Sequence, residues 1–231
     1  MKSEFKQTLK NAYLKEFFLR VKNEIEDSND QPQEVLTKIY TDILYDNGTI
    51  SDYELVFFER EISKSNIKIN GYSFSEEDLR LDLFITHYDP SEKIQEIKSN
   101  KVHELIENAK DFYFQSTKKL YEKINKKEDA YDISKTIFKN QKDISTVRII
   151  VLTNCECEKT PPMQREGKIE FQNLLFDNKR IFSSSLGGAN STNIRVDFTK
   201  FKEKVRCMLA HKSSDKISSY MAFIPGDVLF N

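Results

Sequence analysis

Cysteine is scarce in this chain: Cys155, Cys157 and Cys207 are the whole set. An odd, sparse count does not build a disulfide framework and fits a reducing compartment. No excess of charge exists either. The net charge is −1, so the chain is not a polycation, and any nucleic-acid site must be a local patch. Long hydrophobic runs are missing, and none approaches the roughly 18 residues that span a bilayer. Met1-Lys2-Ser3-Glu4 leads into an amphipathic charged segment instead of a secretory h-region. These absences make the cytoplasm the expected location, without membrane contact. Internal repeats and low-complexity tracts are absent. So are Gly-x-x-x-x-Gly-Lys-Ser/Thr, Gly-x-Gly-x-x-Gly and Gly-x-Ser-x-Gly, which argues against nucleotide hydrolysis and a serine-hydrolase elbow.

What is present is aromatic and apolar. The 17 Phe and 10 Tyr among 231 residues, with 38% apolar residues overall, give burial the means to outweigh chain entropy. Phe5, Leu9, Tyr13, Phe17, Val21 and Ile25 recur every four residues and predict a helix over about 4–26. Pro32 stands where a helix start tolerates proline. Val35, Leu36, Ile39, Tyr40, Ile43 and Leu44 make a second stripe, which Asp46-Asn47-Gly48 ends. Residues 55–61 read equally as helix or strand. Residues 67–74 alternate. Leu79, Leu81, Leu83 and Ile85 fall on one face of a strand, with Arg80, Asp82, Phe84 and Thr86 on the other. Asp89-Pro90-Ser91-Glu92 reads as a capping box opening a helix that runs to about 126. Val147 to Leu152 is an unbroken apolar strand of the kind buried on both faces. Residues 168–176 and 193–198 are further strand candidates, 183–188 a loop, and Tyr220 to Ile224 a short apolar run closed by Pro225-Gly226.

This order predicts an α/β (α+β) fold, a mixed β-sheet flanked by helices. It is also the order of a restriction-endonuclease-like core. Three parts are expected: a helical segment over 1–48, an endonuclease-like core over 49–160, and a β-rich extension over 161–231 leading into a further C-terminal portion.

Several groupings carry candidate chemistry. In an endonuclease-like core, carboxylates on two adjacent strands hold a divalent ion and a lysine positions water. Asp82 is the candidate metal ligand here, with Glu59 and His87 as the other candidate catalytic residues and magnesium as the ion if cleavage occurs. The pattern is degenerate. Asn70 stands where the first aspartate belongs, and a neutral amide is a weaker ligand for a hard cation. No lysine follows an acidic residue by two positions on the second strand. The plainer reading makes Asp82 an outward-facing strand residue, or a remnant of a lost site. Lys118, Lys119, Lys123, Lys126 and Lys127 cluster near Tyr121 at the expected end of the long helix. They oppose the helix dipole favourably, and they are also candidates for phosphate contact. Cys155-Glu156-Cys157 with Cys207 and His211 has poor zinc spacing, so ordinary cysteines are the simpler account. Ser184, His87 and Asp82 make a triad only by selection from many such residues.

Two stretches resemble the abortive-infection phage-resistance (AIPR) family. One is Ile69-Asn70-Gly71-Tyr72 with the acidic run Glu76-Glu77-Asp78 and the strand Leu81-Asp82-Leu83-Phe84. The other is Tyr220 through Ile224 with Pro225-Gly226-Asp227-Val228-Leu229. Phe176 to Ile181 and Ile194 to Phe198 are similar to weaker family segments between them. The anchored stretch runs from about 50 to 230. Family members are usually longer, so the resemblance implies the N-terminal region of a defence protein that disables the infected cell before the phage matures. Three functions compete: a non-catalytic module binding DNA, RNA or a phage product; a divalent-metal nuclease; and a protein-interaction or homo-oligomerisation domain, favoured by an unpaired last strand.

Overall fold

The computed structural model describes residues 2–62, 65–75, 77–157, 164–166, 169–185, 207–214 and 217–222. Two compact units divide the chain, Met1–Asn190 and Ser191–Asn231. In the second, β7 (Cys207–Ser214) and β8 (Ile217–Ala222) pair as an antiparallel hairpin.

In the first unit, helices α1 (Lys2–Asp27) and α2 (Pro32–Asp46) precede a meander of β1 (Glu54–Ile62), β2 (Ser65–Ser75) and β3 (Arg80–His87). Helices α3 (Ser99–Thr117) and α4 (Ala130–Asn140) then cross to β4 (Thr146–Thr153), followed by β5 (Gln164–Glu166), β6 (Ile169–Phe176) and α5 (Asn178–Ser185). The six strands lie in the order β1-β2-β3-β4-β6-β5. The pairs β1·β2, β2·β3 and β5·β6 are antiparallel, while β3·β4 and β4·β6 are parallel. The fold is therefore α+β with a mixed sheet flanked by helices, as the element order predicted. Among the described residues, no helix is long and apolar enough to cross a membrane.

Strand periodicity decides which layer each residue joins. Leu81, Leu83 and Ile85 face a core shared with Val102, Leu105, Ala109 and Phe112 of α3 and Ile133 and Ile137 of α4. Phe84, Ile150 and Leu152 face the opposite core, built on Phe17, Val21 and Ile25 of α1, Leu36, Tyr40 and Leu44 of α2, and Phe182 of α5. Each such apolar side chain contributes roughly 1.5–3 kcal/mol when fully buried. Helices on both faces explain why β3 is buried at every position from Leu81 to Thr86. Asp82 accordingly faces the α1/α2 layer and is 1% exposed; it does not point to solvent.

Gly71 is required by close approach. A Cβ there would lie 2.7 Å from the Glu54 carbonyl oxygen and 2.9 Å from Cδ2 of Phe84. Antiparallel pairing of β1 with β2, with a register shift between Leu55 and Phe58, settles the ambiguous 55–61 segment as strand.

Other expectations change. The Asp89 carboxylate accepts the Ser91 N–H at 2.9 Å and closes a turn, not a helix cap. The chain then pairs alongside Glu156, with Ile97 N–H donating to the Glu156 carbonyl at 2.9 Å, and α3 begins only at Ser99. It ends at Thr117, not near 126, because Lys119 takes a left-handed φ of 62° before a short 3-10 turn at Leu120–Glu122. The separate helix α4 follows. Leu79 lies outside the strand, with φ 51° and an exposed side chain. Ser183 to Ser185 are helical, the end of α5, not loop. The strand expected over 193–198 lies outside the described residues.

Candidate functional site

The two ends of β3 are built differently. At its start, Arg148 of β4 donates from Nε to Oδ1 of Asp82 at 2.7 Å and from a terminal nitrogen to Oδ2. The parallel register that places Asp82 beside Arg148 makes this fork possible. A third Arg148 bond reaches the Thr49 carbonyl at 3.1 Å, and Arg80 Nε lies 3.5 Å from Oδ1. Both carboxylate oxygens are thus committed to guanidinium groups. Asp82 faces neither Glu59 nor His87. Five strand residues put His87 about 16 Å away at ~3.3 Å per residue.

At the far end of β3 lies an open cleft of about 450 Å³. Gln33 and Glu34 from the start of α2, Glu59 from β1, Lys68 and Asn70 from β2, Thr86 and His87 from β3, and Lys101 from α3 supply its polar lining. Its floor is fixed by hydrogen bonds. The Asn70 side-chain oxygen accepts the Thr86 N–H at 2.8 Å, the Gln33 amide donates to the Thr86 carbonyl, and the Thr37 and Thr86 hydroxyls meet at 2.7 Å. Asn70 therefore stands in for a backbone partner of β3.

Glu59 receives Lys68 Nζ at 2.7 Å and the Asn66 amide at 3.2 Å. These bonds, the lysine's foremost, hold its carboxyl below the usual range. Burial, then the nearby Lys101, pushes the His87 imidazole down toward its neutral form. Of the three candidate catalytic residues, the structure brings Glu59 and His87 into one cleft and leaves Asp82 elsewhere. Gln33, Glu34, Lys68 and Lys101 are polar lining residues that sequence reading missed. Lys68 carried a faint signal, two positions before Asn70 on an alternating strand, whereas Gln33 and Lys101 come from distant helices.

A magnesium ion of the endonuclease type needs carboxylates converging on one point. Among the described residues, the one grouping of three side chains suited to a metal, within 4.8 Å of one another, is His87, Asp89 and Cys155, and it contains neither Glu59 nor Asp82. The cleft does not assemble the expected carboxylate set. Cys155 and Cys157 are both buried. The side chains of Cys207 and His211 lie outside the described residues.

The lysine cluster occupies the turn between α3 and α4. Lys118, Lys119, Lys123, Lys126 and Lys127 are all exposed. Lys119 pairs with Glu122 at 3.0 Å and lies over the Phe138 ring at 5.7 Å. Lys101, at the cleft, sits in the first turn of α3 and Lys118 just past its end. That separation is about 25 Å at ~1.5 Å per residue, so the cluster and the cleft are distinct places.

The family model for the abortive infection phage resistance protein N-terminal domain matches residues 36–183. This chain belongs to that family. The match covers well over half of the sequence and includes β1 through β6 and most of α5. It contains the Asn70-Gly71-Tyr72 and Leu81-Asp82-Leu83-Phe84 segments, while the Tyr220 to Leu229 stretch lies beyond it. No curated protein and no solved structure matches the chain. The domain is thus the N-terminal region of a phage-resistance protein.

Proposed function

We propose that this domain binds nucleic acid without cleaving it, as the recognition module of an abortive-infection protein. The observation that most supports this reading is the state of the two positions expected to hold metal. Asn70 is neutral and spends its oxygen on the β3 backbone, and Asp82 is neutralised by Arg148. Phosphate attraction then falls to the exposed lysines of the α3–α4 turn, four of which, Lys118, Lys123, Lys126 and Lys127, carry no ion pair among the described residues.

The test is binding to DNA and to RNA across a salt series. Each phosphate contact on a duplex contributes about 0.9 to the logarithmic salt slope, so replacing Lys123, Lys126 and Lys127 with Gln reduces the slope by roughly 2–3. A slope unchanged by that replacement, or no binding at low salt, rejects the reading and leaves a phage protein or another copy of the chain as the ligand class.

A nuclease reading keeps one supporting observation: Glu59 and His87 line the same cleft. Incubation of DNA and RNA with magnesium or manganese tests it, comparing Glu59→Gln and Asp82→Ala with the unaltered protein. Cleavage lost in Glu59→Gln, with folding retained, establishes the nuclease and ends the non-catalytic reading.

A further inference from the structure

We infer that His87, Asp89 and Cys155 form a binding site for a zinc-type transition-metal ion at the carboxyl ends of β3 and β4. The topology creates the site. These strands are parallel neighbours with His87 opposite Thr153, so residues just past both ends emerge side by side. Outside the carboxyl ends of parallel strands is where open α/β sheets place their ligands. The three donor atoms lie within 4.8 Å of one another. A tetrahedral zinc ion, with bonds of about 2.0–2.3 Å, separates its ligands by roughly 3.5 Å, so closure needs about an ångström of side-chain rotation.

The site is held in place before any ion arrives. The Asn154 side chain accepts the Asp89 N–H at 2.9 Å and donates to the Asp89 carbonyl at 2.7 Å. Oδ1 of Asp89 takes the Ser91 N–H at 2.9 Å, which fixes the carboxylate's orientation. Cys155 is fixed from both sides: its N–H donates to the Thr153 hydroxyl at 3.1 Å, and Glu156 pairs with residues 95–97. Cys155 is 2% exposed, whereas His87 reaches the cleft.

The donor set selects the ion. A sulfur, an imidazole nitrogen and one carboxylate suit zinc, cobalt or copper, and sulfur disfavours magnesium and calcium. Aspartate and thiolate together balance a divalent charge. Cysteine binds such ions as the thiolate, so binding releases the thiol proton. The lysines around the site are themselves paired, Lys68 with Glu59 and Lys101 with Glu104, each at 2.7 Å, and Lys22 with Glu26 at 3.4 Å, which tempers their repulsion of an ion. Three protein ligands leave a fourth position for water or an anionic oxygen. This inference is independent of the nucleic-acid reading.

The test loads the full chain with cobalt(II) and follows absorption, with zinc competition giving affinity. The expected result is a near-ultraviolet sulfur-to-cobalt charge-transfer band that zinc abolishes. The band is lost in Cys155→Ser and kept in Cys157→Ser, with folding checked by circular dichroism. His87→Gln and Asp89→Asn each weaken zinc binding by roughly tenfold or more. These two side chains are only partly buried, so the pair keeps the test decisive if Cys155→Ser does not fold. A folded chain with no cobalt band, a band that survives Cys155→Ser, or affinity unchanged in folded His87→Gln and Asp89→Asn overturns the site.

Discussion

Strand β3 starts in a sealed ion pair and ends in an open cleft, and the same eight-residue strand serves both. At Asp82 the charge is 1% exposed and neutralised by a forked arginine. At the cleft the charged residues come from four different elements, and the Glu59 side chain is 53% exposed. The difference shows why an acidic residue in a strand is a poor guide to chemistry by itself. Burial with a full set of partners makes a carboxylate a structural anchor, while partial exposure beside other polar groups leaves one available to a ligand.

The largest expected effect comes from breaking the sealed end. Asp82→Ala strands the Arg148 guanidinium in a largely buried position and lowers unfolding stability by about 3–5 kcal/mol, measured by urea denaturation. A loss below about 1 kcal/mol shows that Asp82 is not an anchor. Next comes the cleft floor. Asn70→Ala removes the acceptor of the Thr86 N–H and costs about 1–3 kcal/mol. Native-state amide exchange detects it locally, as faster exchange at Thr86.

The smallest effect belongs to the exposed pair. Glu59→Gln costs at most about 1 kcal/mol, because solvent screens an exposed ion pair. Its pH dependence sharpens the comparison. The folded-state value of Glu59 lies below its unfolded value of about 4.3. The stabilisation is therefore present above that value and disappears as pH falls through the lowered folded value. The wild-type and Glu59→Gln stability curves, measured from pH 7 downward, converge in acid. A gap that widens in acid contradicts the Lys68 pairing.

The sequence exposed most of the framework. The alternation Leu81, Leu83, Ile85 and the unbroken run Val147 to Leu152 identify β3 and β4, because side-chain period is a local property of a strand. Asp89-Pro90-Ser91-Glu92 misled for an equally local reason: the signals of a helix cap are also those of a turn, and pairing of residues 95–97 with Glu156 decides between them. Helix α4 was not recognised, although Ile133 and Ile137 are spaced for one face. The cleft was legible only in fragments. Glu59 and His87 stand out only as companions of Asp82, and nothing along the chain joins them to Gln33 or Lys101.

By itself, the sequence determined most of the helical and strand segments, the mixed helix-and-sheet class, and the family motifs around Asn70 and Asp82, since periodicity and turn chemistry act over a few residues. Tertiary structure decided that Asp82 meets Arg148, and that His87 and Asp89 meet Cys155. Both meetings depend on β3 lying parallel to β4 in one register across some 60 residues of intervening chain. A one-residue slip in that register turns every facing side chain to the other layer, and no local pattern specifies it.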